Sequence, residues 1–404
     1  MQDIRGTIKL QSGDVIEFTS DNVYGDVVIY SQCVKGSGFS LGSVCSAECN
    51  MTFILNGISR YNVIGAAVSI EIADNSGNWH KAGIYNVVSA TRYYNNITVK
   101  AVDNMIFLDK QAYTVDENSR KLSQIAEYLK TQRTIYEALK YTVEIAGLLL
   151  GNTQEEIEAF KNAEFSTMVF QEVDTDCPRD WLSWIAEFLG GFAYADENGK
   201  IRIKQFEITP TATIYQSEIQ SDTSDIADFT IKLARVGIVT YNKSWGYHYS
   251  IENDGKPNTI NIDLSDNIIS QGMHYIYLYS MNVLKNIYNA VASIPYRPFN
   301  ATVHSDDVFN LGQCISIEDY DGQIYNTVIT NITYTLNGGY QLKCAGEDTR
   351  LLADTKRRTA LKRESEKLQM KINEAKGMDL TQSALDQLEA DGKLTEGMTY
   401  YVKG

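Results

Sequence analysis

The sequence predicts an α+β chain, mainly β, in which two similar β-barrel domains flank an α/β insertion and a helical extension ends the chain. Three observations carry that prediction. A strand–turn–strand–turn–strand meander occurs twice, as VSIEIADNSGNWHKAGIYNVVSATRYYNNITVKAVD over residues 68–103 and ISIEDYDGQIYNTVITNITYTLNGGYQLKCAGE over residues 315–347. Between the copies, over residues 115–192, the apolar period changes from two to the helical 3.6. After Glu347 the charge reverses: residues 350–376 hold nine Lys or Arg against four Asp or Glu, in a chain of net charge −15. The boundaries that follow are 1–112 for the first barrel, 113–205 for the insertion, 206–348 for a second barrel with one helix, and 349–404 for the extension.

The two meanders match at specific residues. Ser69-Ile70-Glu71 answers Ser316-Ile317-Glu318, Ile84-Tyr85-Asn86 answers Ile324-Tyr325-Asn326, and Lys100-Ala101 answers Lys343 and Ala345. The turns are Asn75-Ser76-Gly77 against Asp321-Gly322, then Asn95-Asn96 against Asn337-Gly338-Gly339. Such residues tolerate the positive φ of tight hairpins. Residues 324–335 are dense in Ile, Val, Thr and Tyr and read as one long strand. An internal repeat of this length constrains the fold more than any single motif does.

Taken in order, residues 1–110 read as all-β. Gly6–Leu10 and Asp14–Phe18 alternate around Ser12-Gly13, a hairpin signature. The loop GSGFSLGS at 36–43 has the wrong glycine spacing for a dinucleotide site and leads into a strand over 44–55, so it reads as a flexible connection or a contact loop. Helices follow. Leu122, Ile125, Ala126 and Leu129 make one apolar stripe, and Thr153 with Glu156 forms a capping box. The strongest helix carries Trp181, Leu182, Trp184, Ile185, Phe188 and Leu189 between Pro178 and Gly190-Gly191. That stripe reads as buried core. A hairpin turns at 196–199 before the alternating KIRIK at 200–204. In 206–347 one helix, with Met281, Leu284, Ile287 and Val291 as its stripe, interrupts the strands and ends before Pro295. In the basic segment Leu361, Ser365, Leu368, Ile372 and Ala375 repeat at 4-3-4-3 spacing, a short coiled-coil seam. A second short helix over 380–389 and an unfinished strand at the end complete the reading.

Composition excludes several function classes. A net charge of −15 repels nucleic-acid phosphates. No apolar run is long enough to span a membrane, and MQDIRGTIKL is not a signal peptide. The 26 tyrosines against 13 phenylalanines suit half-exposed β surface. Cys33, Cys45, Cys49, Cys177, Cys314 and Cys344 lack zinc-ligand spacing and read as buried thiols. The four histidines, His80, His248, His274 and His304, accompany no nucleophile motif, and His304 with Asp306 and Asp307 reads as a solvated turn. No catalytic residue, metal site or cofactor is expected.

Three stretches, in this order, resemble the baseplate hub, or tail-associated, proteins of bacteriophage tails and phage-tail-like particles. FSLGSVCSA at 39–47 is similar to the loop-strand of that family's first, tube-like barrel. RDWLSWIAEFLGGFAYADENGKIRIKQF at 179–206 is similar to its helix-then-hairpin module. Residues 298–347 resemble its second barrel, with GQCISI where relatives often carry Gly-Asp. The resemblance covers about residues 1–350. The basic segment lies outside it and looks like the linker through which such hubs continue into a tip.

The resemblance implies a non-enzymatic structural virion protein, a homotrimeric hub that joins a six-fold tail tube to a three-fold tip. Two similar barrels per chain, taken three times, would present six near-equivalent units to the tube. Implied partners are the distal tail protein, tail tube proteins, the C-terminus of the tape measure protein and downstream tip or fibre proteins, with DNA passing through the channel unbound. The implied location is the virion tail tip, assembled in the bacterial cytoplasm. Leu361, Leu368 and Ile372 are the candidate oligomerisation residues, facing a three-fold axis. Two other readings stay open: a peptidoglycan-degrading tail-associated enzyme, and a carbohydrate-binding β-module for host attachment.

Overall fold

The structure, a computed structural model, describes residues 3–55, 59–74, 76–115, 121–169, 177–220, 224–239, 246–249, 256–276, 281–305, 307–347, 377–381 and 399–403. The chain forms two compact units, residues 1–347 and 348–404.

The larger unit starts with β1 (Ile4–Lys9) and β2 (Val15–Thr19), the hairpin read from the sequence. β3 (Val28–Gln32) and β4 (Glu48–Ile54) follow, then helix α1 (Arg60–Val63). The first meander is β5 (Ala67–Ala73), β6 (Trp79–Tyr93) and β7 (Asn96–Asp103), each antiparallel to the next. Alternation turns Ile70, Val87, Ile97 and Val99 inward, where they join Ile4, Ile8, Phe18 and Phe53 in one apolar cluster. Phe18 and Phe53 meet edge-on with ring centroids 5.0 Å apart.

The middle of the chain carries β8 (Tyr113–Val115), β9 (Lys121–Ser123), α2 (Gln124–Tyr128), β10 (Arg133–Thr134), α3 (Ile135–Ile145), α4 (Gln154–Glu158), β11 (Ser166–Thr167), α5 (Pro178–Phe188), β12 (Phe192–Ala195) and β13 (Ile201–Lys204). Pro178 opens α5 as expected, Thr153 and Glu156 cap α4, and β12 pairs with β13 around the turn at 196–199. Trp181, Ile185 and Phe188 are fully buried, but Trp184 only partly, edge-on to Trp181 at 5.2 Å. The stripe at 122–129 is corrected. The Ser123 hydroxyl accepts the Ala126 N–H at 3.3 Å and starts the helix at Gln124, which leaves Leu122 in β9.

The remaining strands are β14 (Ala212–Ile214), β15 (Asp225–Ile226), β16 (Lys232–Val239), β17 (Gly246–Tyr249), β18 (Thr259–Asp263), β19 (Phe299–Val303), β20 (Cys314–Glu318), β21 (Ile324–Val328), β22 (Asn331–Thr335) and β23 (Gly339–Cys344). Two helices interrupt them rather than one: α6 (Ile268–Ile276) and the expected α7 (Met281–Val291). The segment of α6 reads as strand because Gly272 breaks a run rich in Ile and Tyr. In the fold, the Asn267 side chain accepts the Ser270 N–H at 2.9 Å and opens the helix. Gly272 is needed for close approach, since a Cβ there would lie 2.0 Å from the Met168 carbonyl oxygen.

The two strand sets share an order. The first runs β3-β4-β7-β6-β5-β1, continuing to β2. The second runs β15-β19-β23-β22, then β21-β20-β14 in a separate three-stranded sheet. Together β21 and β22 take the place of β6. β6 stays continuous through a bulge at Val87/Ser89, whereas its counterpart breaks at Ile329-Thr330, so residues 324–335 are not one strand. The outermost contacts differ in direction: β1 is antiparallel to β5, and β14 is parallel to β20. The first meander's second turn is Tyr94-Asn95, with Tyr94 at φ 52°, rather than Asn95-Asn96.

The strands of the described residues close no barrel. Among the described residues, β3 pairs with β4 on one side and with β22 on the other, which fuses both sets into one open 11-stranded sheet. A strand with both edges taken cannot also close its own set. The second core is likewise shared: Trp181, Leu182, Ile185 and Phe188 lie in one apolar cluster with Ile287, Ile315, Ile317 and Val328.

In the smaller unit, β24 (Gly377–Thr381) and β25 (Thr399–Lys403) pair in parallel. Leu380 and Thr381, expected to open a helix, belong to β24. The basic coiled-coil seam, with Leu361, Leu368 and Ile372, lies outside the described residues.

Candidate functional site

The features that organise the described residues are contacts between elements and sheet edges. Among the described residues, no group of His, Cys, Asp and Glu could hold a metal ion. Cys33, Cys49, Cys314 and Cys344 are buried, as expected, while Cys45 and Cys177 are half-buried, and all six are free thiols. Burial pushes the Cys49 and Cys344 thiols up to about 12, which keeps them protonated and unreactive at neutral pH. His80 sits 3.0 Å from Asp74 in an exposed turn, and that bond leads the contacts that hold the Asp74 carboxyl down at about 2.

Arg179, the second residue of α5, ties the helical middle to the first strand set. Its Nε is 2.5 Å from Asp109 Oδ1 and its Nη2 is 3.0 Å from Asp109 Oδ2, a two-pronged ion pair. Nη2 also donates to the Met105 carbonyl at 2.6 Å, and Nη1 to the Val44 carbonyl. The glycine loop docks beside it. Gly42, at φ 65°, donates its N–H to the Gly191 carbonyl at 2.8 Å, and its carbonyl accepts the Ser183 hydroxyl at 2.6 Å. It is a contact loop, as the sequence indicates. Any side chain at 42 would meet the Ser183 carbonyl at 2.6 Å. The arginine was missed in the sequence because nothing local marks a cation whose acceptors lie 70 and more residues upstream.

Asp103, at the end of β7, is a buried carboxyl whose titration the fold alters strongly. It accepts the Ala47 N–H at 2.9 Å and the Met105 N–H at 3.0 Å. Burial nevertheless lifts its carboxyl to about 7, against the pull of those bonds and of Arg179. Asp103 lines a cleft of about 620 Å³ together with Gln32, Tyr194, Phe309, Tyr334 and Tyr340, residues drawn from both strand sets and the β12–β13 hairpin.

The sheet edges are the second feature. β22 is flanked on both sides, by β23 and β3. The matching part of β6, residues 88–93, pairs with β7 on one side, and among the described residues no strand pairs with its other side. Around that edge lie exposed Tyr61, Tyr93 and Tyr94, with the last two rings edge-on at 4.6 Å and Arg60 stacked 4.8 Å over Tyr61. At the far end of the sheet, β15 pairs with β19.

No protein-family model matches the sequence, and no curated protein matches it. Solved structures do match in fold. The chain is similar to the 43 kDa tail protein of prophage MuSo2 from Shewanella oneidensis, at 12% identity and TM-score 0.50, over 85% of this chain and 96% of that one. It is equally similar to a tail protein from Neisseria meningitidis, at 12% identity and TM-score 0.50, over 86% of this chain and 97% of that one. The chain has the fold of these tail proteins, in agreement with the resemblance read from the sequence.

Proposed function

We propose that the chain is a structural protein of a bacteriophage tail or phage-tail-like particle, a trimeric hub at the distal end that joins a six-fold tail tube to a three-fold tip. One observation carries the reading: within a tail-protein fold, two strand sets of the same order lie side by side in one chain. Three such chains present six near-equivalent sets, which is what a six-fold partner surface needs. The net charge of −15 supports a channel that DNA crosses without binding, since phosphate binding draws on Lys and Arg.

In this reading the partners are the distal tail protein and tube proteins on one side, the tape measure C-terminus within, and tip or fibre proteins below. Residues 350–376 act as a clasp, with Leu361, Leu368 and Ile372 toward the axis. The seam is too short to hold three chains alone, so the sheets supply most of the association. The test is a mass measurement in solution with a low-resolution image of the same sample. The reading expects three chains in a ring with a central hole. Compact monomers at every concentration and salt tried would overturn autonomous trimerisation, and a solid particle would overturn the channel.

A further inference from the structure

We propose that the cleft between the two strand sets is a binding site for a primary alkylammonium group, with the Asp103 carboxylate as the anion that receives it. The inference goes beyond the tail reading and does not depend on it. The cleft holds about 620 Å³, the size of a small-molecule site, and its lining mixes aromatic rings with a few convergent polar groups. Along one wall Phe309, Tyr340 and Tyr334 form a run of angled rings, with successive centroids 5.3 Å and 5.1 Å apart. Tyr85, opposite Asp103 in the β6–β7 pairing, adds a fourth ring to the lining. The faces of such rings attract cations.

The charges of the lining favour a cation as well. Asp74, Asp103, Asp196, Glu197 and Asp307 stand against Lys81 and Lys204. Both lysines are engaged, Lys81 with Asn198 Oδ1 at 2.8 Å and Lys204 with Glu207 at 2.9 Å. Two of the carboxyls have partners too, Asp196 in Arg202 at 3.2 Å and Asp74 in His80 at 3.0 Å. Asp103 differs from them. It is 6% exposed, and its hydrogen bonds come from the backbone N–H groups of Ala47 and Met105. Arg179 pulls on it, but that guanidinium donates to Asp109, Ser46 and the Met105 and Val44 carbonyls. A buried carboxyl without a cation of its own keeps its proton, which is why burial prevails and lifts it to about 7. An alkylammonium supplies what is missing, with N–H donors for the carboxylate and an aliphatic stem for the rings. Among the described residues no group of carboxylates, His and Cys converges as a metal ion needs, so the cation that fits is organic.

Binding is then a proton exchange: the ammonium arrives, the carboxyl ionises, and its proton leaves to solvent. The titratable and charged groups around Asp103 are Arg179 on α5, Tyr85, Lys81 and His80 on β6, Asp74 after β5, and Cys45 before β4. The β12–β13 hairpin adds Asp196, Glu197 and Lys204, and the 305–311 loop adds Asp307. Histidine is the other side-chain type that exchanges protons near neutral pH, so a His80→Gln control removes it. The test is isothermal titration calorimetry of the full chain in two buffers of different ionisation enthalpy. Cadaverine is one probe, and a blocked peptide with one central lysine is the other, which separates a free amine from a lysine of another protein. Saturable binding of either is expected, with close to one proton released per ammonium at about pH 6. Affinity should rise about tenfold per pH unit below 6 and level off above about 7. His80→Gln should still release the proton, whereas Asp103→Asn should bind at least about tenfold more weakly and release none. Should Asp103→Asn fail to fold, the proton count in the unsubstituted chain still decides. No saturable binding of either probe at millimolar concentration, binding without proton release at pH 6, or equal affinity in Asp103→Asn would overturn the site.

Discussion

The two meanders in this chain begin with almost the same residues and finish in different surroundings. β5, β6 and β7 lie in one sheet over a core that belongs largely to the first strand set, with Phe18, Phe53 and Ile97 at its centre. β20 and β21 leave the main sheet, and their buried residues Ile315, Ile317 and Val328 pack in one cluster with Trp181, Ile185 and Ile287. The difference lies at one corner. In β6 a bulge absorbs the bend; in the second copy Ile329 donates its N–H to Gln313 and Thr330 donates its own to Lys343, so the chain switches sheets between adjacent residues. Local pattern makes the meander, and what packs against it decides whether the long strand stays whole.

The largest effects should separate the two cores. Trp181→Ala empties a fully buried site and is expected to cost about 3–5 kcal/mol in denaturant unfolding. Phe53→Ala is expected to cost a similar amount in the other cluster. Amide exchange should show Trp181→Ala loosening residues 314–328 before 67–103, with Phe53→Ala giving the reverse order. Equal loosening of both by either substitution would mean a single cooperative core and would dissolve the contrast. Trp184→Ala should cost less than Trp181→Ala, because its side chain is only partly buried.

A smaller effect tests the tie between the regions. Arg179→Ala leaves the Met105 and Val44 carbonyls and the Asp109 carboxylate without their donor, at an expected cost of about 1–3 kcal/mol. Lysine should restore only part of this, since it lacks the two-pronged geometry. Full rescue by Arg179→Lys would reduce the clasp to simple charge.

Asp103 sharpens the comparison through pH. Its folded pKa of about 7 lies above the ordinary 3.8, so between those values the native state holds a proton that the unfolded chain has released. Stability should therefore fall as pH rises from about 4 to 7 and level off above that, a slope superimposed on any other titrations. The neighbouring Tyr85 phenol is pushed up by burial and stays neutral in that window. Asp103→Asn should remove this contribution to the slope; an unchanged pH profile in the variant would show that the carboxyl is ionised throughout. The smallest effect is at the surface, where Glu71→Gln breaks the 2.7 Å pair with exposed Arg5 and should cost no more than about 1 kcal/mol.

Much of this architecture was legible in the sequence because its signals are local. Alternation at 4–9 and 15–19, the Thr153–Glu156 box and the Pro178-to-Gly190 helix each involve residues within a few turns of one another. What escaped depends on distant partners. Nothing near Val28 announces that Thr335 will pair with it and join the two strand sets in one sheet. Gly272 weakens a helix signal for the sake of contact with Met168, just after β11 and far away in the sequence. Asp103 and Arg179 likewise acquire their character from neighbours that only the fold supplies.

The most direct test of the central claim, that β3 joins the two strand sets into one sheet within the chain, is amide hydrogen exchange at low protein concentration. Residues 331–335 should be protected there, because β3 covers them inside the chain. Exchange of 331–335 as fast as in an unfolded chain, in the dilute folded protein, would contradict the account.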